Sequence, residues 1–417
     1  MHTTLTCLLA VCATVAAAAT PDMPDDSAAN CPVFRDDGTG VYEGGSLPSN
    51  WNEGEKTNIR WSKELPLPGW ASPIVWGDKV VATGANQDDR AVYCLDLASG
   101  DTVWQADIPL GKGTEGYLVD SMDERWDEIL YAAATPATNG KQVFVAFSTG
   151  QLVALDLQSG EQLWEVGLGD TAINTYGLTN STLVYKDMVI QTFEGDTQYI
   201  AAYDAATGEQ RWKSERASAT WASPILIKTP AGQAQVVLSA DPDVTAWNPD
   251  TGEQLWSVDV LTGGPEWCVG PTPIYAGGLV FANCEACGIY AIDPDKGETV
   301  WSNEDLDAYP DGASMVSDGE KLYQYFGYEL NVLDCKNGEL LQTVEMDDEA
   351  SYASPALADG KLYLPGMVET FVCDPAKDYA VIGTGAIGDM RDACLAIVDG
   401  NIVLRSDSKV YCIANAE

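Results

Sequence analysis

The chain has 417 residues, 46% of them hydrophobic, and its 63 acidic and 22 basic residues give a net charge of −41. So acidic a surface repels phosphate backbones and anionic lipid headgroups, which excludes nucleic acids and membrane surfaces as partners. We interpret the acidity as a solvated surface suited to a saline habitat; the alternative is that some of the carboxylates bind calcium.

Residues 1–19 are predicted to form a secretory signal peptide, because an apolar stretch ends in an A-x-A cleavage site at Ala17–Ala19. This leader places the mature protein in the periplasm or outside the cell. No later segment has the roughly 20 continuous apolar residues of a transmembrane helix. The only histidine, His2, falls inside the leader. Histidine-dependent catalysis and histidine-ligated metals are therefore excluded, and we predict no catalytic residue and no metal site.

After a lead-in segment at 20–56, one phrase recurs along the chain: a small residue, any residue, Asp or Asn, three residues, Gly, three residues, Trp. The alternating run before the Asp predicts a strand. The Asp-x-x-Ser/Thr-Gly stretch predicts a turn with positive φ at the glycine, and the run ending in Trp predicts the returning strand. Each copy is thus a β-hairpin whose tryptophan packs on a neighbouring sheet. Full copies lie at 94–104, 154–164, 202–212, 246–256 and 291–301, and a degraded copy at 332–342 ends in Gln342.

The tryptophans recur about every 45 residues, starting at Trp61, with four short predicted strands in each period. The one long interval carries an insertion at 111–131. This pattern is typical of a β-propeller. We predict an all-β fold over 57–417, an eight-bladed β-propeller of four-stranded antiparallel blades. An N-terminal strand at 57–65, bearing Trp61, would complete the C-terminal blade and so close the ring.

The first strand of each predicted blade begins with a small residue, which suits the crowded axis of a propeller. Two positions before such residues, at the mouth of the predicted channel, stand Trp70, Trp221, Tyr352 and Asp392, and Trp267 is nearby. Aromatic rings in a concave mouth suit sugar faces, peptide side chains or a flat cofactor. These five residues are our candidate ligand- or partner-binding site, and packing between blades is the alternative. The small residues are Ser72, Thr135, Ser181, Ser223, Thr272, Ser314, Ser354 and Cys394.

Nine cysteines follow the leader, and an oxidising compartment permits disulfides, with at least one cysteine left over. Cys284 and Cys287 form a C-x-x-C pair in a predicted turn, and Cys268 precedes the same blade. We predict a structural disulfide among these three. The alternatives are a zinc site completed by a carboxylate, a redox pair, or unpaired cysteines. Cys94 and Cys412 occupy the small-residue position of the repeat and are interpreted as small buried residues.

The recurring phrase resembles the tryptophan-docking motif, A-x-D-x-x-x-G-x-x-x-W, of the quinoprotein-dehydrogenase-like, or PQQ-repeat, eight-bladed propeller superfamily. The five full copies, with one Cys for Ala and one Asn for Asp, extend this likeness over nearly all of 57–417. The start of the chain, CPVFRDDGTGVYEGG at 31–45 and TNIRWSKELPLPGW at 57–70, is similar to secreted bacterial PQQ-binding-like or BamB-like proteins.

The resemblance to BamB, the propeller lipoprotein of outer-membrane protein assembly, implies a non-enzymatic scaffold of the cell envelope. We predict that it binds an envelope or extracellular protein or glycan, as a monomer and without a cofactor. The resemblance also implies an alternative: an oxidoreductase dependent on PQQ and calcium, acting on an alcohol or sugar, with the quinone stacked at Trp70 or Trp221. That enzyme family holds its quinone beneath a disulfide of adjacent cysteines, and this sequence has no adjacent cysteine pair.

Overall fold

The computed structural model shows an all-β chain whose described residues form eight sheets, an arrangement consistent with a β-propeller. The predicted signal peptide and most of the predicted insertion lie outside the described residues. Within the part that is described, no helix is long and apolar enough to cross a membrane. The described residues are 29–43, 45–111, 130–169, 177–195, 197–259, 270–284, 287–306, 312–388 and 392–416.

Four strands precede the repeats, and the first four sheets then follow the chain in order. The N-terminal strands are β1 (Asn30–Cys31), β2 (Val41–Tyr42), β3 (Trp51–Asn52) and β4 (Ile59–Glu64). Sheet 1 contains β5 (Ile74–Trp76), β6 (Lys79–Ala85), β7 (Arg90–Asp96) and β8 (Thr102–Asp107). Sheet 2 contains β9 (Ala137–Thr138), β10 (Gln142–Phe147), β11 (Gln151–Asp156) and β12 (Gln162–Gly167), after a 3₁₀ turn at Leu130–Ala132. Sheet 3 contains β13 (Leu183–Tyr185), β14 (Met188–Glu194), β15 (Gln198–Asp204) and β16 (Gln210–Arg216), and sheet 4 contains β17 (Ile225–Lys228), β18 (Ala234–Ser239), β19 (Asp243–Trp247) and β20 (Gln254–Asp259).

The remaining four sheets repeat the same order of strands. Sheet 5 contains β21 (Ile274–Ala276), β22 (Leu279–Cys284), β23 (Gly288–Asp293) and β24 (Glu298–Asn303). Sheet 6 contains β25 (Val316–Ser317), β26 (Lys321–Phe326), β27 (Glu329–Asp334) and β28 (Leu340–Glu345). Sheet 7 contains β29 (Ala356–Ala358), β30 (Lys361–Pro365), β31 (Thr370–Asp374) and β32 (Ala380–Ala386), with a 3₁₀ turn at Pro375–Lys377. Sheet 8 contains β33 (Ala396–Val398), β34 (Asn401–Arg405) and β35 (Lys409–Ala414), followed in the sheet by β4.

The predicted N-terminal strand therefore pairs with the last strand of the chain. β4 runs antiparallel to β35, with Trp61 opposite Cys412. In sheet 1 the equivalent pair is Trp104 opposite Cys94. Both cysteines are buried and form no disulfide, and each belongs to the same core cluster as the tryptophan opposite it, as predicted for small buried residues.

The hairpins of the repeat form for the local reasons that the sequence indicates. In sheet 2 the Asp156 carboxylate accepts the backbone N–H groups of Gln158 and Ser159, and Gly160 ends the turn at φ +73°. Opposite the small residue of each phrase the pairing of the third and fourth strands shifts register, and this bulge occurs in all eight sheets.

Each tryptophan of the repeat packs on the turn of the next sheet. Trp104 lies over Gly160, and its indole N–H donates to the carbonyl of Leu157 at 3.0 Å. The same bond joins four other pairs: Trp61 to Leu97, Trp164 to Ala205, Trp212 to Pro249 and Trp301 to Cys335. Trp256 differs, because its N–H donates to the side chain of Gln235, whose amide in turn donates to the carbonyl of Pro294.

The small residues at the start of the first strands form a closed cycle of hydrogen bonds. The backbone N–H of each donates to the side-chain oxygen or sulfur of its counterpart in the next sheet, at 2.9–3.2 Å. The sequence predicted only that the residues at these positions are small. The structure shows that each also places a hydrogen-bond acceptor, an oxygen or a sulfur attached directly to Cβ, next to the neighbouring backbone. We call them the axial ring, which runs Ser72, Thr135, Ser181, Ser223, Thr272, Ser314, Ser354, Cys394 and back to Ser72.

The lead-in segment packs at the centre of this cycle, a role that the sequence did not predict. β1 pairs with β5 of sheet 1, and the carbonyl of Pro32 accepts the N–H of Thr138 in sheet 2 at 2.9 Å. The hydroxyl of Tyr42 donates to the carbonyl of Leu395 in sheet 8 at 2.6 Å. Because one short segment contacts sheets spread around the whole cycle, it lies on their common axis. We call residues 29–43 the N-terminal plug.

Two sheets depart from the predicted four strands because N-terminal strands add to them. β1 extends sheet 1 to five strands, while β2 and β3 flank sheet 7 in parallel pairings and extend it to six. Trp51 on β3 lies against Gly385, where an added Cβ would meet the indole at 1.8 Å. This tryptophan covers the outer strand of sheet 7, where the repeat itself supplies no tryptophan.

Candidate functional site

The predicted aromatic residues lie at one end of the sheets, where the second strands end and the first strands begin. We call this end the mouth face. The N-terminal plug enters from the opposite end, since Asn30 pairs with Trp76, the last residue of the first strand of sheet 1. The plug therefore enters the axis from the end opposite the mouth face.

Trp70 is held in place by a buried arginine of sheet 8. The guanidinium of Arg405 donates to the carbonyl of Gly69 at 2.7 Å, and burial lowers the pKa of Arg405 to about 10. The indole N–H of Trp70 donates to the carboxylate of Asp407 at 3.2 Å, and its backbone N–H donates to the carbonyl of Ala132 at 3.0 Å. Sheets 8 and 2 thus both fix the loop that carries Trp70, and the ring is partly exposed.

The structure brings Trp70 and Tyr352 together, although they belong to sheets 1 and 7. Their ring centroids are 6.0 Å apart with an interplanar angle of 36°, which is an ordinary packed aromatic pair. The N–H of Ser351 beside Tyr352 donates to the carbonyl of Pro365 at the end of β30. The two aromatics therefore form one partly exposed surface on the mouth face.

Trp221 is positioned by a buried ion pair in sheet 3. Glu194 pairs with Arg216, and its second carboxylate oxygen accepts the backbone N–H of Thr220 at 3.2 Å. The carbonyl of Trp221 accepts the hydroxyl of Thr179 at 3.3 Å. Burial raises the pKa of Glu194 to about 7, and the charge of Arg216 opposes that shift.

This carboxyl is expected to give the protein a measurable pH dependence. The folded pKa lies above the usual value of 4.5, so the folded chain holds this proton more tightly than the unfolded chain. The contribution of Glu194 to the free energy of unfolding is therefore largest below pH 4.5 and falls as the pH rises to about 7. Urea unfolding of the wild type and of Glu194→Gln across this range should show the difference between them falling with pH. A constant difference would contradict the assignment.

The other predicted site residues are only partly described. Asp392 is partly exposed, and Trp267 and Cys268 lie outside the described residues. Cys287 is disulfide-bonded. Its partner also lies outside the described side chains, so the pairing with Cys284 or Cys268 stays a prediction.

The sequence analysis missed three exposed apolar side chains in two described turns of the mouth face, one in sheet 6 and one in sheet 7. Tyr328 is 56% exposed in the β26–β27 turn, and Met367 and Val368 are 41% and 73% exposed in the β30–β31 turn. The segment between β28 and Tyr352 joins these turns, because the N–H of Met346 donates to Tyr328 and the carbonyl of Glu349 accepts from Met367. We call Tyr328, Met367 and Val368 the apolar patch. Turn residues without a repeat pattern give no signal that would have identified it.

A calcium-bound quinone, the cofactor of the alternative function, would need a flat slot and a group of side chains that bind the metal ion. The ring centroids of Trp70 and Tyr352 are 6.0 Å apart, less than the roughly 7 Å that a planar ring between them would need, so a quinone on Trp70 would have to stack on the face away from Tyr352. Within the described part of the chain, no three acidic, cysteine or histidine side chains are grouped to hold a metal ion. The described residues thus provide neither a slot between these two rings nor a group of metal-ligating side chains.

The family described as outer membrane protein assembly factor BamB matches this chain over residues 52–195 and 196–414. The BamB of Shewanella oneidensis is 23% identical over 319 residues, which cover 65% of this chain and 76% of that protein. The quinohemoprotein alcohol dehydrogenase ADH-IIG of Pseudomonas putida is 24% identical over 337 residues, covering 70% of this chain and 42% of that enzyme. The predicted resemblance to both classes is confirmed.

Among solved structures, a europium-containing methanol dehydrogenase matches with a TM-score of 0.72 and 13% sequence identity. The match covers 93% of this chain and 98% of that one. A likeness at this level of identity shows the fold alone.

Proposed function

We propose that this chain, which belongs to the family described as outer membrane protein assembly factor BamB, is a non-enzymatic scaffold of the cell envelope. Its mouth face would bind a partner protein through the apolar patch. A glycan is the second candidate, because the partly exposed rings of Trp70 and Tyr352 form a surface on which a sugar face can stack. We expect the protein to act as a monomer in the periplasm or outside the cell.

The observation that carries this proposal is the exposure of the apolar patch in a protein with so high a charge. Three apolar side chains, each more than 40% exposed, stand on turns that backbone hydrogen bonds tie together. Exposed apolar residues grouped in this way mark interaction surfaces. The alternative of packing between sheets does not account for them, since each is more than 40% exposed.

The surroundings of the apolar patch indicate the chemistry of the partner. Asp347 and Glu349 are exposed beside it, and Glu369 follows Val368. A partner surface with an apolar centre and basic residues around it would complement both features.

We also infer that the eight sheets are the blades of one closed eight-bladed propeller over residues 57–417. The closed axial ring and the pairing of β4 with β35 support this inference. Residues 20–56 would then be a lead-in that contains β1, β2 and β3, with 1–19 as the signal peptide.

The scaffold proposal is tested by capture from a cell-envelope extract with immobilised protein. The double variant Tyr328→Asp, Val368→Asp should recover at least tenfold less of the captured partner than the wild type, because it places charge in the apolar contact. Val103→Asp is the matched control, since Val103 is 48% exposed on β8 of sheet 1 and lies outside the patch. Equal recovery by all three proteins, or no specific capture by the wild type, would contradict the proposal.

A further inference from the structure

The most exposed side chain of the apolar patch stands on a fully hydrogen-bonded turn. Val368 is 73% exposed in the turn that joins β30 to β31. The backbone N–H groups of the turn residues 366–369 all donate hydrogen bonds, at 2.6–3.1 Å. Exposed turns are commonly the mobile parts of a fold. A turn whose N–H groups are all bonded instead holds its apolar side chain in one position.

Asp348 accepts two of these four N–H groups from outside the turn. Its Oδ2 atom accepts the N–H of Val368 at 2.6 Å and that of Glu369 at 3.1 Å. Its Oδ1 atom accepts the N–H of Glu349 at 2.9 Å, and the carbonyl of Glu349 accepts the N–H of Met367 at 2.8 Å. Hydrogen bonds to a carboxylate are roughly twice as strong as those between neutral groups, so this side chain is the main attachment of the turn.

The same residue is tied to the turn of sheet 6 that carries Tyr328. The carbonyl of Asp348 accepts the hydroxyl of Tyr325, near the end of β26, at 2.7 Å. Close by, the N–H of Ala350 donates to the carbonyl of Gly327 at 2.7 Å. Asp348 therefore joins the two turns that form the patch, through its backbone on one side and its carboxylate on the other.

The adjacent acidic residue has a different environment. Asp347 is exposed, and its carboxylate makes no hydrogen bond to another residue in the described part of the chain. Its charge is therefore open to a partner, whereas the carboxylate of Asp348 is engaged by three backbone N–H groups. Two neighbouring carboxylates of the same charge thus differ in what they can contribute to binding.

We propose that Asp348 is the positioning residue of the apolar patch. It holds the turn of Met367 and Val368 in the geometry that a partner binds, whereas Asp347 acts only through its charge. The inference rests on the proposed function, because it assigns roles within the same surface. A turn that is ordered before the partner arrives avoids the entropy cost of ordering it on binding. Asp348 should therefore control the dissociation rate, and Asp347 the association rate.

Two variants of the full chain release the turn in different ways. Asp348→Ala removes the carboxylate and one negative charge. Gly366→Ala keeps every charge but displaces the carboxylate, because an added Cβ would lie 2.5 Å from Oδ2 of Asp348 and 2.8 Å from the carbonyl oxygen of Glu369. Asp347→Ala is the matched control, since it removes the same charge from the adjacent residue and leaves the hydrogen bonds of the turn in place.

Hydrogen exchange followed by mass spectrometry tests the positioning without a partner. The amides of residues 366–369 should exchange about tenfold faster in Asp348→Ala and Gly366→Ala than in the wild type, because the turn opens more often once its attachment is lost. In Asp347→Ala they should exchange at the wild-type rate. A single exchange rate for this turn in all four proteins would overturn the assignment of Asp348.

Binding kinetics with the partner recovered in the capture experiment test the role itself. Asp348→Ala and Gly366→Ala should raise the dissociation rate about tenfold, whereas Asp347→Ala should lower only the association rate, by about two- to threefold at low salt. Wild-type dissociation from both turn variants, with binding still lost in Tyr328→Asp, Val368→Asp, would refute the role of Asp348 and leave the proposed function standing. Failure of the wild type to capture any partner would instead contradict the proposed function, on which the inference rests.

Discussion

Replacing Trp61 with alanine is expected to lower the free energy of unfolding by about 3–5 kcal/mol, the cost of deleting a large buried aromatic side chain. Trp61 is 9% exposed, lies over Gly100 of sheet 1 and donates to the carbonyl of Leu97 at 2.9 Å. These contacts join β4, which completes sheet 8, to the first sheet. The lost free energy would therefore come from the interface that closes the ring of sheets.

Trp104→Ala is the matched control for this prediction. Trp104 is 8% exposed and makes the same two contacts between sheets 1 and 2, an interface inside the ring. In a closed ring the two interfaces are equivalent, so urea unfolding should give the two variants the same loss within about 1 kcal/mol. A negligible effect of Trp61→Ala beside a large effect of Trp104→Ala would mean that the ring is open between sheets 8 and 1.

Gly160→Ala is expected to cost about 3 kcal/mol, from two separable causes. The residue has φ +73°, which costs an L-residue about 1–2 kcal/mol, and a Cβ there would lie 2.6 Å from the indole of Trp104. The collision would push the tryptophan off the turn on which it packs.

Gly232→Ala separates these two causes. Gly232 has φ +88°, and a Cβ there would meet no atom within 4 Å, so only the backbone cost of about 1 kcal/mol applies. The difference of about 2 kcal/mol between the variants then measures the tryptophan contact. If urea unfolding gave both variants the same loss of unfolding free energy, the glycine of the repeat would be needed only for the backbone conformation of the turn.

The parts of the fold that could be predicted are those whose cause is local. Asp156 and Gly160 form their turn within five residues, and the spacing of the tryptophans reports the period of the sheets. Trp70, Trp221 and Tyr352 could be placed at equivalent positions of three sheets because the part of the repeat that precedes them recurs along the chain. Their contact could not be predicted, since the pairing of Trp70 with Tyr352 depends on how sheets 1, 7 and 8 meet.

The parts that could not be predicted depend on contacts distant in sequence. Arg35 donates to carbonyls 280 and 320 residues away, and nothing around it in the sequence repeats. The residues of the axial ring were predicted from their small size alone. Their role as hydrogen-bond acceptors could not be predicted, because the N–H groups that they accept belong to a neighbouring sheet. The apolar patch joins two turns that lie about 40 residues apart and share no motif.

The most direct test of the scaffold account is a titration of the purified protein with PQQ and calcium, followed by absorption spectroscopy and a dye-linked assay with alcohols and aldoses. The described mouth residues offer no slot between Trp70 and Tyr352 and no grouped metal ligands, so the account predicts no saturable shift of the quinone spectrum and no dye reduction. Stoichiometric quinone binding with turnover of an alcohol or sugar would contradict it and establish a quinoprotein oxidoreductase in its place.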